Sequence, residues 1–176
     1  MNTSDALMKP PVSTEAADWS REAKSSTAWM PSRSLLASIR MYQRHAQARG
    51  ALHAVARRVA VLRHRFWSVV TGADIPTNCQ VGGGLLLPHP NGVVIHPAAS
   101  LGVNCLVFQQ VTIGAGGRAG FPRIGAHVDI GAGAKILGGV VVGDHARIGA
   151  NAVVLDDVPA GATAVGIPAR VLGATT

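Results

Sequence analysis

Aromatic side chains are scarce in this chain: three Trp, three Phe and one Tyr among 176 residues. Binders of single-stranded nucleic acid stack bases on such rings, so that class lacks its usual platform here. Cysteine is as rare. Cys79 and Cys105 show no CxxC or other metal-ligand spacing, which argues against a disulfide framework or a thiolate metal site and makes a reducing cytoplasm the expected compartment. No apolar run reaches transmembrane length, and no charged segment followed by a long apolar stretch opens the chain. A soluble intracellular protein is expected. Carboxylates are the remaining shortage, nine against sixteen Lys and Arg, for a net charge of +7. The imbalance concentrates between Arg33 and Val70, which hold eight arginines (Arg33, Arg40, Arg44, Arg49, Arg57, Arg58, Arg63, Arg65), three histidines and no acidic residue. One reading is an anionic partner, either nucleic acid or a membrane surface touched peripherally. The other is a pair of helices whose basic faces are solvated or meet acidic surface on a neighbouring subunit. No nucleic-acid motif accompanies the arginines, so the second reading is preferred and nucleic acid is not expected.

Against these shortages stands a repeat. From Ile75 onward an aliphatic residue, followed by Gly or another small residue, recurs every six positions. The slots run Ile75, Val81, Leu87, then Ile95, Leu101, Val107, Ile113, then Ile124, Ile130, Ile136, Val142, Ile148, Val154, with Ala160 next. A period of six is neither the 3.6 of a helix nor the 2 of a half-buried strand. It predicts a parallel β-helix whose short strands stack coil on coil. Three hexads make one triangular turn, which puts Ile75, Ile95, Ile113, Ile136 and Val154 at the starts of successive coils. The fourth residues after the aliphatics (Cys79, Leu85, Ala99, Cys105, Val111, Val128, Ala134, Val140, Ala146, Ala152, Val158, Ala164) are apolar and mostly small, as a narrow prism interior at full packing density requires. Both cysteines thereby belong to the core. The glycines after the aliphatics (Gly82, Gly102, Gly114, Gly125, Gly131, Gly143, Gly149) suit corners that need positive φ or close backbone approach.

The rhythm breaks at Leu87 to Val94, eight residues where six would do, and again between Ile113 and Ile124, where GAGGRAGFPR forms a Gly-rich loop. A solenoid needs neither insertion for stability, so both are candidate site elements. His89 lies in the first break, between Pro88 and Pro90, fifteen residues after Asp74. One coil takes about twenty residues here, so the two side chains can approach the same corner. An Asp near a His fixes the imidazole tautomer and supports the imidazolium. Equally, Asp74 could cap a turn and His89 could be an exposed loop residue; the residues alone leave both open. Upstream, residues 1–32 lack periodicity and are expected to be disordered or loosely attached, with Trp19 and Trp29 as possible docking points. A basic α-helical region follows over 33–70. Ser34 is placed to cap a first helix, LLASIRMYQRHAQ, and Gly50 to end it. A second helix runs from Ala51 to about Val70 with Leu52, Val55, Val59, Leu62, Phe66 and Val69 on one face, which calls for the first helix or the prism base as its cover.

The repeats carrying IGAGAKILG (Ile130 to Gly138), the NGVVI after a loop His, VTIG (Val111 to Gly114) before the Gly-rich loop and the terminal GIPARVLG (Gly166 to Gly173) resemble the serine O-acetyltransferase branch of the hexapeptide-repeat acyltransferases. The resemblance covers about Gly72 to Gly173. It implies a mainly β fold, a left-handed parallel β-helix over 71–173 with a short N-terminal α-helical region. It also implies a homotrimer that binds acetyl-CoA between neighbouring prisms, needs no metal, and acetylates the hydroxyl of L-serine for cysteine synthesis. By the same resemblance His89 is the general base and Asp74 its partner. The pantetheine arm would follow Gly114, Ala115, Ala132 and Ala150, Arg147 and Arg170 would meet the CoA phosphates, and Asn91, Gly92 and Phe121 would line the acceptor site. Two departures touch the acceptor. Pro88 stands where serine acetyltransferases have an Asp that helps hold the amino acid, and Phe121 stands where they have a second His, in a shorter loop. A sugar or surface-polysaccharide hydroxyl is therefore the alternative acceptor. The helical region is shorter than in members that pair trimers into hexamers, and the chain closes on GATT without a sulfhydrylase-docking tail, so a trimer without that complex is expected. From other classes, a zinc-dependent β-helix carbonic anhydrase would draft His89, His96 and His127, and a non-catalytic trimeric scaffold would leave Asp74 and His89 uncoupled.

Overall fold

The computed structural model describes residues 12–25 and 27–174. Helices α1 (Pro31–His45) and α2 (Ala51–Thr71) lead into a three-faced left-handed prism. Its first face stacks β2 (Val94–Ile95), β5 (Thr112–Gly114), β8 (Lys135–Leu137) and β11 (Val153–Val154). The second stacks β1 (Gln80–Val81), β3 (Ser100–Leu101), β6 (Arg123–Ile124) and β9 (Val141–Val142). The third stacks β4 (Leu106–Val107), β7 (Asp129–Ile130), β10 (Arg147–Ile148) and β12 (Ala162–Gly166), and β13 (Ala169–Ala174) turns back antiparallel along β12. All other pairings are parallel.

The register follows the hexads. Ile95 pairs with Ile113, Ile113 with Ile136 and Ile136 with Val154, while Asp74 bridges Val94 and so brings Ile75 beneath Ile95. These aliphatics and all twelve fourth-position residues are buried in one continuous core. Each coil covers the apolar side chains of the one below, which is why strands of two or three residues suffice. The rhythm fails once more, near the end: Val158 pairs with Val142 and Ala164 with Ile148, while Ala160 is exposed. The turn Asp156 to Gly161 shortens this coil, so Val158 takes the inward place that the hexad count assigns to Ala160.

Six of the seven glycines after the aliphatics serve close approach rather than positive φ, while a Cβ on Gly114 would meet only His96 at 3.7 Å. A Cβ on Gly102 would lie 2.6 Å from the Ala126 nitrogen, and one on Gly131 2.6 Å from that of Ala150. The left-handed backbone falls two residues later, at Gly84, Asn104, His127 and His145 along one edge and at Gln110, Gly133 and Asn151 along another. Short polar side chains tolerate that conformation better than branched ones.

Three upstream expectations change. Helix α1 starts at Pro31 with Met30 before it, so Ser34 is an interior, buried residue rather than a cap; Pro at the first helical position supplies the start signal instead. Gly50 opens α2, with φ of 113°, and Gly72 closes it in the left-handed conformation. The loosely attached tail is, over 12–25, a strap bound to the coil. The buried Asn104 side chain accepts from the Asp18 N–H at 2.7 Å and donates to the Ser13 and Ala16 carbonyls. Arg21 donates to the Gly84 and Asn104 carbonyls, Glu22 accepts from the Leu85 N–H, and Arg40 joins Glu22 at 2.8 Å while donating to the Val81 and Gly82 carbonyls. Trp19 lies under the Arg40 guanidinium and Trp29 packs on Trp67 of α2. These partners are all distant in sequence, so no local pattern announces them.

Candidate active site

The first break in the rhythm is tied down at its foot. The Gly92 N–H donates to the Gly72 carbonyl, the Asp74 N–H to Val93, and the Ile95 N–H to Asp74, all at 2.8 to 2.9 Å. The loop that carries His89 therefore rises beside the segment that carries Asp74, at the entry to the first face. Both side chains are exposed, and no hydrogen bond joins them among the described residues. His89 lines a cleft of about 390 Å³ with Pro88, Pro90 and Asn91 from its own loop, Pro31 and Ser32 from the start of α1, and Val70 and Thr71 from the end of α2. The helix residues are an addition that motif reading missed. The one signal for them is the short distance in sequence from the end of α2, through Gly72, to Asp74.

The edge above the His89 loop is a backbone ladder. The Gln110 N–H donates to the Asn91 carbonyl, Gly133 to Gln109, and Asn151 to Ala132. Asp74, His89, Asn91, Gly92, Ala132 and Ala150 thus follow one edge of the prism. Gly114, Ala115 and Phe121 belong to the next edge, on the far side of the first face, where the Gly-rich loop leaves β5 and lies back on Gly138 and Gly139. Phe121 stacks on His96 there, with ring centroids 4.2 Å apart and planes 12° apart. Nδ1 of His96 accepts from the Ala98 N–H. Arg147 is exposed on β10 and Arg170 on β13, both on the third face. The single chain therefore gathers the expected site residues on two edges and one face, not in one pocket.

The three histidines drafted for zinc lie on three different edges. His89 and His96 occupy the two just described, and His127 sits on the third, its Nδ1 2.8 Å from that of His145. Partial burial lowers the His127 pKa below 6.5; Asp129 opposes this, and His145, Arg21 and Arg147 add to it. Among the described residues no group of three or more His, Cys, Asp or Glu is placed to hold a metal ion. The two free thiols are core groups. Burial, with a smaller push from Asp74, raises Cys79 to about 12, and burial raises Cys105 to about 11.

Comparison with known proteins agrees with this architecture. Residues 121–156 match the family described as bacterial transferase hexapeptide (six repeats). A serine acetyltransferase of Mycobacterium tuberculosis is 40% identical over 121 residues, covering 67% of this chain and 53% of the relative. That of Escherichia coli K12 is 41% identical over 120 residues, covering 66% and 44%. Among solved structures, a serine acetyltransferase in complex with CoA superimposes with a TM-score of 0.68 at 33% identity, over 82% of this chain and 58% of that one. The Brucella abortus serine acetyltransferase gives 0.70 at 32% identity, over 84% and 59%. Coil register, repeat and these likenesses together give residues 121–156 the pattern of the bacterial hexapeptide transferases, continued by the coils on either side. Among the hexapeptide transferases the likeness is to serine acetyltransferases. The chain spans about half the length of the curated relatives it matches.

Proposed function

We propose that the protein transfers an acetyl group from acetyl-CoA to a hydroxyl, that of L-serine first among acceptors, with His89 as general base. The observation that carries this reading is the His89 loop, clamped beside Asp74 at the foot of an edge that continues through Ala132 and Ala150. Nε2 or Nδ1 of His89 removes the acceptor proton as the oxygen attacks the thioester carbonyl, and returns it to the CoA sulfur as the C–S bond breaks and the thiol leaves. Asp74, on the segment that the foot of the His89 loop is bonded to, is the group assigned to orient the ring in the bound complex, where catalytic hydrogen bonds often tighten. The residues present suit the co-substrate. Ala132 and Ala150 leave room for a pantetheine arm to lie on the coil, and the two arginines on the third face offer planar donors for phosphates. Acetyl-CoA supplies the activated acyl group; positioning and the base are the protein's contribution.

A complete site requires neighbouring copies. Gly114, Ala115 and Phe121 sit across a whole prism face from His89, so one cleft can use both edges only if one copy supplies the first and a second copy the other. A homotrimer of prisms meets that condition. The serine acetyltransferase solved in complex with CoA, and a soybean serine acetyltransferase solved in complex with serine, support the choice of substrates.

The Phe121 stack favours a second acceptor. A phenyl ring held against His96 offers neither charge nor hydrogen bond to an amino-acid carboxylate, and Pro88 offers none to an ammonium. A sugar hydroxyl needs neither. Thiol release from acetyl-CoA, measured with L-serine and a panel of sugars, decides between them. Turnover in His89→Ala is expected to fall by about 10² to 10⁴. Unchanged turnover in that variant removes His89 from its role, and stoichiometric zinc in the purified protein overturns the acyl-transfer reading.

A further inference from the structure

The outward face of α2 is covered neither by α1 nor by the prism. Leu52, Val55, Val59, Leu62, Phe66 and Val69 form one stripe of that helix and all are exposed, Leu52 at 78%, Leu62 at 65% and Val69 at 84%. The opposite face makes the intramolecular contacts: Ala60 is buried, His64 bonds the Ile75 carbonyl, Trp67 packs on the core and Thr71 is buried. By the helical step of about 100° per residue, Arg58 and Arg65 border the stripe on one flank and Arg63 borders it on the other. All three are exposed. From residue 23 to residue 73 there is no Asp or Glu, and the nearby Glu22 is already paired with Arg40.

This layout narrows the occupant. The described residues contain no helix long and apolar enough to cross a membrane. A second copy packed helix against helix would bring its own arginine rows toward these, with no carboxylate on α1 or α2 of either copy to meet them. Nucleic acid would answer the arginines and leave six apolar side chains in water. An anionic lipid surface satisfies both, because acyl chains receive the stripe while headgroup phosphates sit at the level of the guanidinium groups. We propose that α2 docks the protein on an anionic membrane surface, with about 31 Å of helix lying in the plane of the headgroups. The proposal is independent of the acyl-transfer chemistry.

The test is sedimentation of the full-length protein with vesicles of phosphatidylcholine containing phosphatidylglycerol, and with phosphatidylcholine alone. The wild type is expected to bind the anionic vesicles at least about tenfold more tightly and to be released by salt. Val55→Ser with Leu62→Ser should weaken that binding by more than about tenfold. Arg58→Gln, Arg63→Gln and Arg65→Gln together should weaken it by about a hundredfold. A wild type that stays in the supernatant with anionic vesicles overturns the proposal. So does a serine pair that keeps vesicle binding, or one that lowers the oligomeric mass of a protein that does not bind vesicles, because a second copy then occupies the stripe. Binding of duplex DNA that the serine pair leaves unchanged, in a wild type that does not sediment with anionic vesicles, overturns it in favour of nucleic acid.

Discussion

The prism and helix α2 are both written in periodic apolar residues, yet they end in opposite states. In the prism every aliphatic slot from Ile75 to Val154 is covered by the coil above or below it. In α2 the aliphatics at helical spacing face outward, and the contacts with the rest of the chain fall to Ala60, His64, Trp67 and Thr71. A hexad always finds its cover in the next hexad. A helical stripe has no such guaranteed neighbour. Periodicity thus states that a surface suits burial, and only a repeat that stacks on itself also states against what.

Substitutions can break or sharpen this contrast. The largest effect on stability is expected from Ile136→Ala, fully buried between Ile113 and Val154. Loss of about 2 to 5 kcal/mol should appear as a lower denaturation midpoint with an unchanged slope. Asn104→Ala comes next. It removes the hydrogen bonds to the Asp18 N–H and to the Ser13 and Ala16 carbonyls, at about 1 to 3 kcal/mol, and limited proteolysis should begin to cut within residues 12–22. Leu62→Ser on the outward stripe should change stability by less than about 0.5 kcal/mol in the same denaturation experiment. A large loss there would mean that the two regions are covered alike in solution.

The smallest effect concerns acid. The folded-state pKa of His127 is lowered, mainly by burial, so the unfolded chain binds more protons just below pH 6.5. The stability that the neutral ring contributes is present above that pH and is lost as pH falls through the lower folded value. His127→Asn keeps a side chain that tolerates the positive φ of this position. Its thermal midpoint should therefore fall less between neutral pH and pH 5 than that of the wild type.

What was legible in the residues, and what was not, follows the same division. The six-residue period, the inward cysteines, the starts of the coils and the two rhythm breaks could all be read directly, because each is a local code repeated at fixed spacing. Even there the count slipped at Ala160, where a shortened coil let Val158 point inward. The proximity of the His89 loop to Asp74 followed from coil length alone. The strap did not follow, since Asn104 holds Asp18 from 86 residues away. Nor did the inversion of α2, because the helical period marks a stripe without naming the side from which the protein will be approached.

By itself, then, the sequence determined a stacked coil, its core and the loop that lifts His89 out of it, since these rest on contacts one coil apart. Tertiary structure alone decided that Gly114, Ala115 and Phe121 would occupy a different edge from Ala132 and Ala150, and that the apolar stripe of α2 would be left to face outward. Both outcomes depend on how separate elements share one surface, and no spacing within a single element encodes that.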